Sequence, residues 1–210
     1  MGQSLPARIV FMGTPAFAER SLSALIESGS PPVAVFTQPD RPTGRRRVLT
    51  SPPVKATALA HDLPVYQPET LRDPLLPRIF EELAPDVIAV AAYGRILPQW
   101  LLDLPRLGCV NVHASLLPRH RGAAPIAYAI WEGDEDTGVC TMRMEAGLDT
   151  GPVYLCERIS IPADATAGSL TPILADRGAH LLVKTLHAME HEGLRPTPQD
   201  DAAATLAPRL

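Results

Sequence analysis

The stretch DVIAVAA, Asp86–Ala92, decides the fold class. From Val87 onward every position is apolar, with no polar residue at alternate places, so a strand built from it must be covered on both faces. A sheet held between two layers of helices provides that environment. Three other short runs share its character: Arg8–Gly13 (RIVFMG), Val33–Gln38 (VAVFTQ) and Gly108–His113 (GCVNVH). The segments between them read largely as helices, and the first helix is expected to begin near Pro15, run through AFAERSLSALIESG and stop at Gly29. Alternation of this kind predicts an α/β architecture, a Rossmann-like, predominantly parallel twisted sheet with helices on both faces. Further on, a helical stretch at Pro125–Asp134 gives way to two strand-like runs, Thr137–Glu145 and Val153–Ile161, expected to pair antiparallel. The segment Gly168–Gly193 then reads as a C-terminal helix.

Bulk properties narrow the functional classes. A chain of 210 residues can bury about 70% of the surface that it exposes when unfolded. Its 46% hydrophobic and 20% charged residues suit a soluble globular protein. No apolar run approaches the roughly 20 residues of a membrane helix. The short apolar stretch near the N-terminus runs into Gly13-Thr14-Pro15 instead of a cleavage site, so no export signal is visible. Cys109, Cys140 and Cys156 are widely spaced and odd in number, which fits neither a disulfide framework nor a zinc site. They are expected to be reduced core thiols in a cytoplasmic protein. The net charge of −4 means that any contact with nucleic acid must be local. One candidate is the stretch RPTGRRR, with Arg41, Arg45, Arg46 and Arg47. A solvated loop is the other reading of it, because Arg supplies all but two, Lys55 and Lys184, of the 19 basic residues.

In doubly wound sheets the ligand crevice lies beyond the carboxyl ends of the strands. The loops after Gly13, Ala92 and His113 are therefore the places to look. The first, GTPAF, lacks the G-x-G-x-x-G spacing, which argues against a dinucleotide cofactor. Asn111 and His113 are two residues apart at a strand end, so both side chains point to the same side. Asp149, between Gly147 and Gly151, adds a carboxylate in a loop whose glycines allow close approach to a ligand. Amide, imidazole and carboxylate suit acyl transfer to an amine without a Ser or Cys nucleophile. The amide and a protonated imidazole would donate to the developing oxyanion, and the carboxylate would sustain the imidazolium. Two other readings stay open at this level: a polar strand end with no chemistry, and a metal site of His113, His120 and Asp149, which lacks the usual ligand spacing.

Taken in order, IVFMGTPAFA, VFTQPDRPTGR, SPPVK, AAYGRILP, NVHASLLPRHRGAAPI and GLDTGP extend the pattern beyond this trio. Over nearly its whole length the chain resembles the folate-dependent formyltransferases, most closely those acting on initiator tRNA. The resemblance implies 10-formyltetrahydrofolate as donor and the α-amino group of methionine on initiator tRNA as acceptor, in a monomer without a metal. It implies Asn111, His113 and Asp149 as catalytic residues. Arg95, Ile96 and Leu97, with Ser115, Leu116, Leu117 and Pro118, are implied to line the folate site. Arg41, Arg45, Arg46 and Arg47 are implied to match the mobile loop that in tRNA formyltransferases reaches toward the tRNA, with Arg45 in the position of its key arginine. Residues 1–192 are then expected to form the catalytic domain. Residues 193–210, rich in Pro, Asp and Ala, are expected to be a linker toward a C-terminal β-barrel domain absent from this chain. Ala114 stands where many members carry Gly, and His120 where an aromatic residue is usual. Two alternatives remain: formyl transfer to a different amine, such as glycinamide ribonucleotide or an amino sugar, and a non-catalytic folate- or RNA-binding module.

Overall fold

The computed structural model describes residues 5–43 and 48–210. In chain order the elements are β1 (Ile9–Gly13), α1 (Ala16–Glu27), β2 (Ala34–Phe36), β3 (Arg41–Thr43), β4 (Val48–Thr50), α2 (Pro53–Ala60), β5 (Val65–Tyr66) and α3 (Leu76–Leu83). There follow β6 (Val87–Ala91), α4 (Gln99–Asp103), β7 (Cys109–His113), α5 (Pro125–Trp131), β8 (Asp136–Arg143), β9 (Val153–Ser160) and α6 (Ala167–His191). Seven strands form one sheet in the order β5-β2-β1-β6-β7-β8-β9, and β3 pairs with β4 in a separate hairpin. Pairing is parallel from β5 to β7 and antiparallel for β7 with β8 and β8 with β9. The fold is thus the expected Rossmann-like sheet closed by an antiparallel pair and a long helix.

The apolar run that began the reading is β6, in the middle of the sheet. All five of its residues are buried, and they divide by parity. Val87, Ala89 and Ala91 join Ile9, Phe11 and Val110 beneath α1 and α6, while Ile88 and Val90 join Val10, Met12 and Phe80 beneath α3 and α4. Period-two geometry on a doubly covered sheet requires this division. The chain runs from β1 outward to β2 and β5 and then crosses back to β6 and β7, so strand order reverses between β1 and β6. Thr14 Oγ1 donates to the Tyr93 carbonyl at 3.2 Å, tying the loops after these two strands together at that point. Gly13 is obligatory there, because a Cβ would lie 2.7 Å from Ala18 Cβ on α1.

One expectation changes, and one segment is better ordered than its composition indicates. Cys140 and Cys156 form a disulfide across β8 and β9, where they are register partners, and only Cys109 is a free, buried thiol. Their separation of 16 residues hides the pairing in the sequence, since it is the strand register that brings them face to face. Residues 193–210, expected to be a linker, carry one short 3-10 helix, Asp201–Ala203, and no long strand, and they are packed on the domain. Thr197 pairs with Val153, Leu206 bridges Arg121, and Ala207 is fully buried. No helix among the described residues is long and apolar enough to cross a membrane.

Candidate active site

β7 ends at His113. Val110 and Val112 pack beneath α1 and α6, so Asn111 and His113 emerge together on the opposite face, as their spacing predicted. His113 is buried and Asn111 half-buried. The His113 ring is held at one nitrogen and faces a carboxylate at the other. Its Nε2 lies 2.9 Å from the His120 carbonyl, which can only accept, so Nε2 carries the hydrogen. Its Nδ1 lies 3.6 Å from Asp149 Oδ2, too far for a good hydrogen bond and near enough for a charge contact. A proton arriving at Nδ1 therefore meets the carboxylate.

Asp149 adopts a left-handed backbone conformation, φ 50°, unusual for a residue other than glycine. Its Oδ2 accepts from the Gly122 N–H at 2.9 Å. Glycine at 151 is needed because a Cβ there would lie 1.9 Å from the Arg143 carbonyl oxygen. That glycine closes the loop on its own backbone, which differs from the expected role of admitting a ligand.

The predicted folate residues divide into two groups. Ile96 is 84% exposed, and Leu116, Leu117 and Pro118 are half-buried. Leu97 is buried in the core beneath α4, and the buried Ser115 hydroxyl donates to the Arg119 carbonyl at 2.6 Å, closing its own turn. Arg95 donates to the Glu69 carbonyl and, at 3.2 Å, to Gln38 Oε1. Gln38 is the centre of a polar cluster that sequence reasoning missed. Its Nε2 donates to the Tyr93 carbonyl, its Oε1 also accepts from Arg41, and its own carbonyl accepts from Gln67. Beside it Asp40 accepts from Gln67 and from Lys55, at 2.8 and 2.7 Å, and these bonds hold its carboxyl below the usual range. Arg41 is thereby anchored at the base of the β3–β4 hairpin. Arg45, Arg46 and Arg47 lie outside the described residues.

His120 does not join a metal set with His113 and Asp149. Its ring turns away, its Nε2 2.6 Å from Asp134 Oδ2, and only its carbonyl faces His113. Among the described residues, His120, Glu132 and Asp134 place ligand atoms within 4.8 Å of one another. The Arg119 guanidinium already occupies that neighbourhood, 2.6 Å from Asp134 and 3.4 Å from Glu132. A side chain of the protein itself thus pairs with both carboxylates.

Comparison with known proteins bears on this geometry. A family profile described as Formyl transferase matches residues 7–186. The chain belongs to the formyl transferase family. Methionyl-tRNA formyltransferase of Stutzerimonas stutzeri (strain A1501) is 55% identical over 98% of this chain and 65% of its own length. That of Acidobacterium capsulatum is 52% identical over 97% of this chain and 66% of its own length. The chain thus spans slightly less than two thirds of these formyl transferase relatives. Phosphoribosylglycinamide formyltransferase from Bacillus halodurans shares the fold at a TM-score of 0.73 and 23% identity, covering 89% of this chain and 96% of its own. HypX from Aquifex aeolicus, solved with tetrahydrofolic acid, does so at 0.67 and 17%, covering 97% and 30%.

Proposed function

We propose that the chain transfers the formyl group of 10-formyltetrahydrofolate to the α-amino group of methionyl initiator tRNA, as a cytoplasmic monomer. The observation that carries the reading is the His113 ring, held through Nε2 by the His120 carbonyl while Nδ1 faces Asp149. The two curated relatives above are named for this activity.

As the amine nitrogen bonds to the formyl carbon, negative charge develops on the formyl oxygen. The Asn111 amide is not hydrogen-bonded to any described residue, which leaves it free to donate to that oxygen. Such a donor is worth about 3 kcal/mol when preorganised. His113 Nδ1 takes up the proton that the amine loses, and Asp149 offsets the resulting charge. The bond from the formyl carbon to the folate nitrogen then breaks, and that nitrogen receives the proton. Exposed Ile96 with Leu116, Leu117 and Pro118 offers apolar surface suited to a flat pterin. Arg41, with Arg45, Arg46 and Arg47, supplies the local positive charge needed to reach tRNA phosphates from an acidic protein.

The test is a competition among amines. Methionyl-tRNA, glycinamide ribonucleotide and a nucleotide-linked amino sugar are each offered with the formyl-folate, and formylated product is measured. Formylmethionyl-tRNA as the main product is expected. Transfer to one of the other amines alone would overturn the assignment.

A further inference from the structure

We infer that residues 197–207 form a clasp that positions the formyl-transfer site, with Gln199 as its central positioning residue; the inference rests on the function proposed above. Two loops carry the groups around His113. One, residues 114–124, supplies the His120 carbonyl and the Gly122 N–H, and the other, residues 144–152, supplies Asp149. Neither contains a helix or strand of the main sheet, so each needs partners from elsewhere to stay rigid.

The C-terminal segment supplies them to both. Thr197 and Val153 exchange two backbone hydrogen bonds of 2.8 Å at the exit of the Asp149 loop. Gln199 Nε2 donates to the carbonyls of Asp149 and Gly151, at 2.8 and 2.7 Å. Its Oε1 accepts from Arg121 Nε and Nη2, at 3.1 and 2.9 Å. One side chain therefore bonds both loops. Farther along, Thr205 accepts the His120 N–H on its hydroxyl and the Arg121 N–H on its carbonyl, at 2.8 and 2.9 Å. Ala207 pairs with Arg121 and Ala124, and a Cβ on Gly122 would collide with the Ala207 carbonyl oxygen at 2.6 Å.

A simple tether needs none of this, because tethers are solvated and loosely held. The Arg121 side chain is 7% exposed, and its ionic partner Asp201 is 82% exposed. Burying a guanidinium is costly without close polar partners, and of these two partners Gln199 is the less exposed, being half-buried. The same amide holds the left-handed backbone of Asp149, whose carboxylate must sit beside His113 Nδ1. Such a conformation persists only when its surroundings over-determine it.

The test uses the full 210-residue chain carrying Gln199→Ala or Gln199→Glu. Gln199→Glu keeps an acceptor for Arg121 but loses both donors to the Asp149 loop, and it serves alone should Gln199→Ala fail to fold. Both variants are expected to lose about 100-fold in kcat, the scale of an ångström misplacement, with KM for the formyl-folate unchanged. The titration curve of the His113 imidazole, followed by NMR, is expected to shift. A wild-type kcat with only a lowered Tm would overturn the clasp and leave the proposed function standing. Should the wild-type chain formylate no amine, the NMR arm decides alone: a shifted His113 curve supports the clasp and an unchanged one refutes it.

Discussion

His113 does two things at once: it gives its Nε2 hydrogen to a carbonyl and keeps Nδ1 for exchange beside Asp149. His113→Ala should lower formyl transfer by about 10² to 10⁴, the usual contribution of a positioned acid–base group, while formyl-folate binding stays close to wild type. Steady-state kinetics with equilibrium folate titration checks both halves. Asn111→Ala should cost about 10² in kcat if its amide serves the oxyanion. The pairing of Asn111 with His113 was legible because period two is local. Asp149 was legible as a carboxylate in a glycine-flanked loop and gained its role from the family motif, whereas nothing in the sequence pointed to Gln199, which lies 50 residues from Asp149 in an aperiodic tail. His120 stood out as a departure from the family, yet its roles, a carbonyl for His113 and a ring for Asp134, depend on a left-handed backbone, φ 58°, that no residue pattern announces. Asp134→Ala should cost about 1–3 kcal/mol by orphaning that buried ring, measurable by chemical denaturation.

Among the elements, the strands next to the site were the most legible and the hairpin the least. β1, β6 and β7 are short, largely apolar runs buried on both faces, whereas Arg41, Pro42 and β4 are exposed, with Val48 and Leu49 61% and 65% accessible. Composition read that region as a loop because no buried stripe marks it as a strand. The Asp40 cluster at its base responds to pH. A carboxyl held below its ordinary value adds stability above its unfolded pKa of about 4 and loses it as pH falls through the depressed folded value. Acid should thus destabilise the protein, and Asp40→Asn should flatten the acid limb of a Tm–pH curve while lowering Tm at neutral pH. The cysteines divide in the same way. Burial pushes the Cys109 thiol up to about 12, so it should resist alkylation until the chain unfolds, a difference that mass spectrometry of labelled native and denatured protein detects.

For the whole molecule, the doubly covered sheet followed from Asp86–Ala92 and its neighbours, since burial on both faces leaves its mark in every residue of a strand. The docking of residues 197–207 did not, because it is made of backbone hydrogen bonds, the Gln199 amide, the Thr205 hydroxyl and the Arg121–Asp201 ion pair instead of an apolar stripe. The same scale carries the central proposal, that an acidic protein with a local arginine stretch and a His113–Asp149 centre formylates an amine on tRNA. The most direct measurement is formyl transfer from 10-formyltetrahydrofolate to methionyl-tRNA by this chain at saturating tRNA, with His113→Ala alongside. Formylmethionyl-tRNA from the wild type and almost none from the variant is the predicted result; equal product from both, or none from the wild type while another amine is formylated, would contradict it.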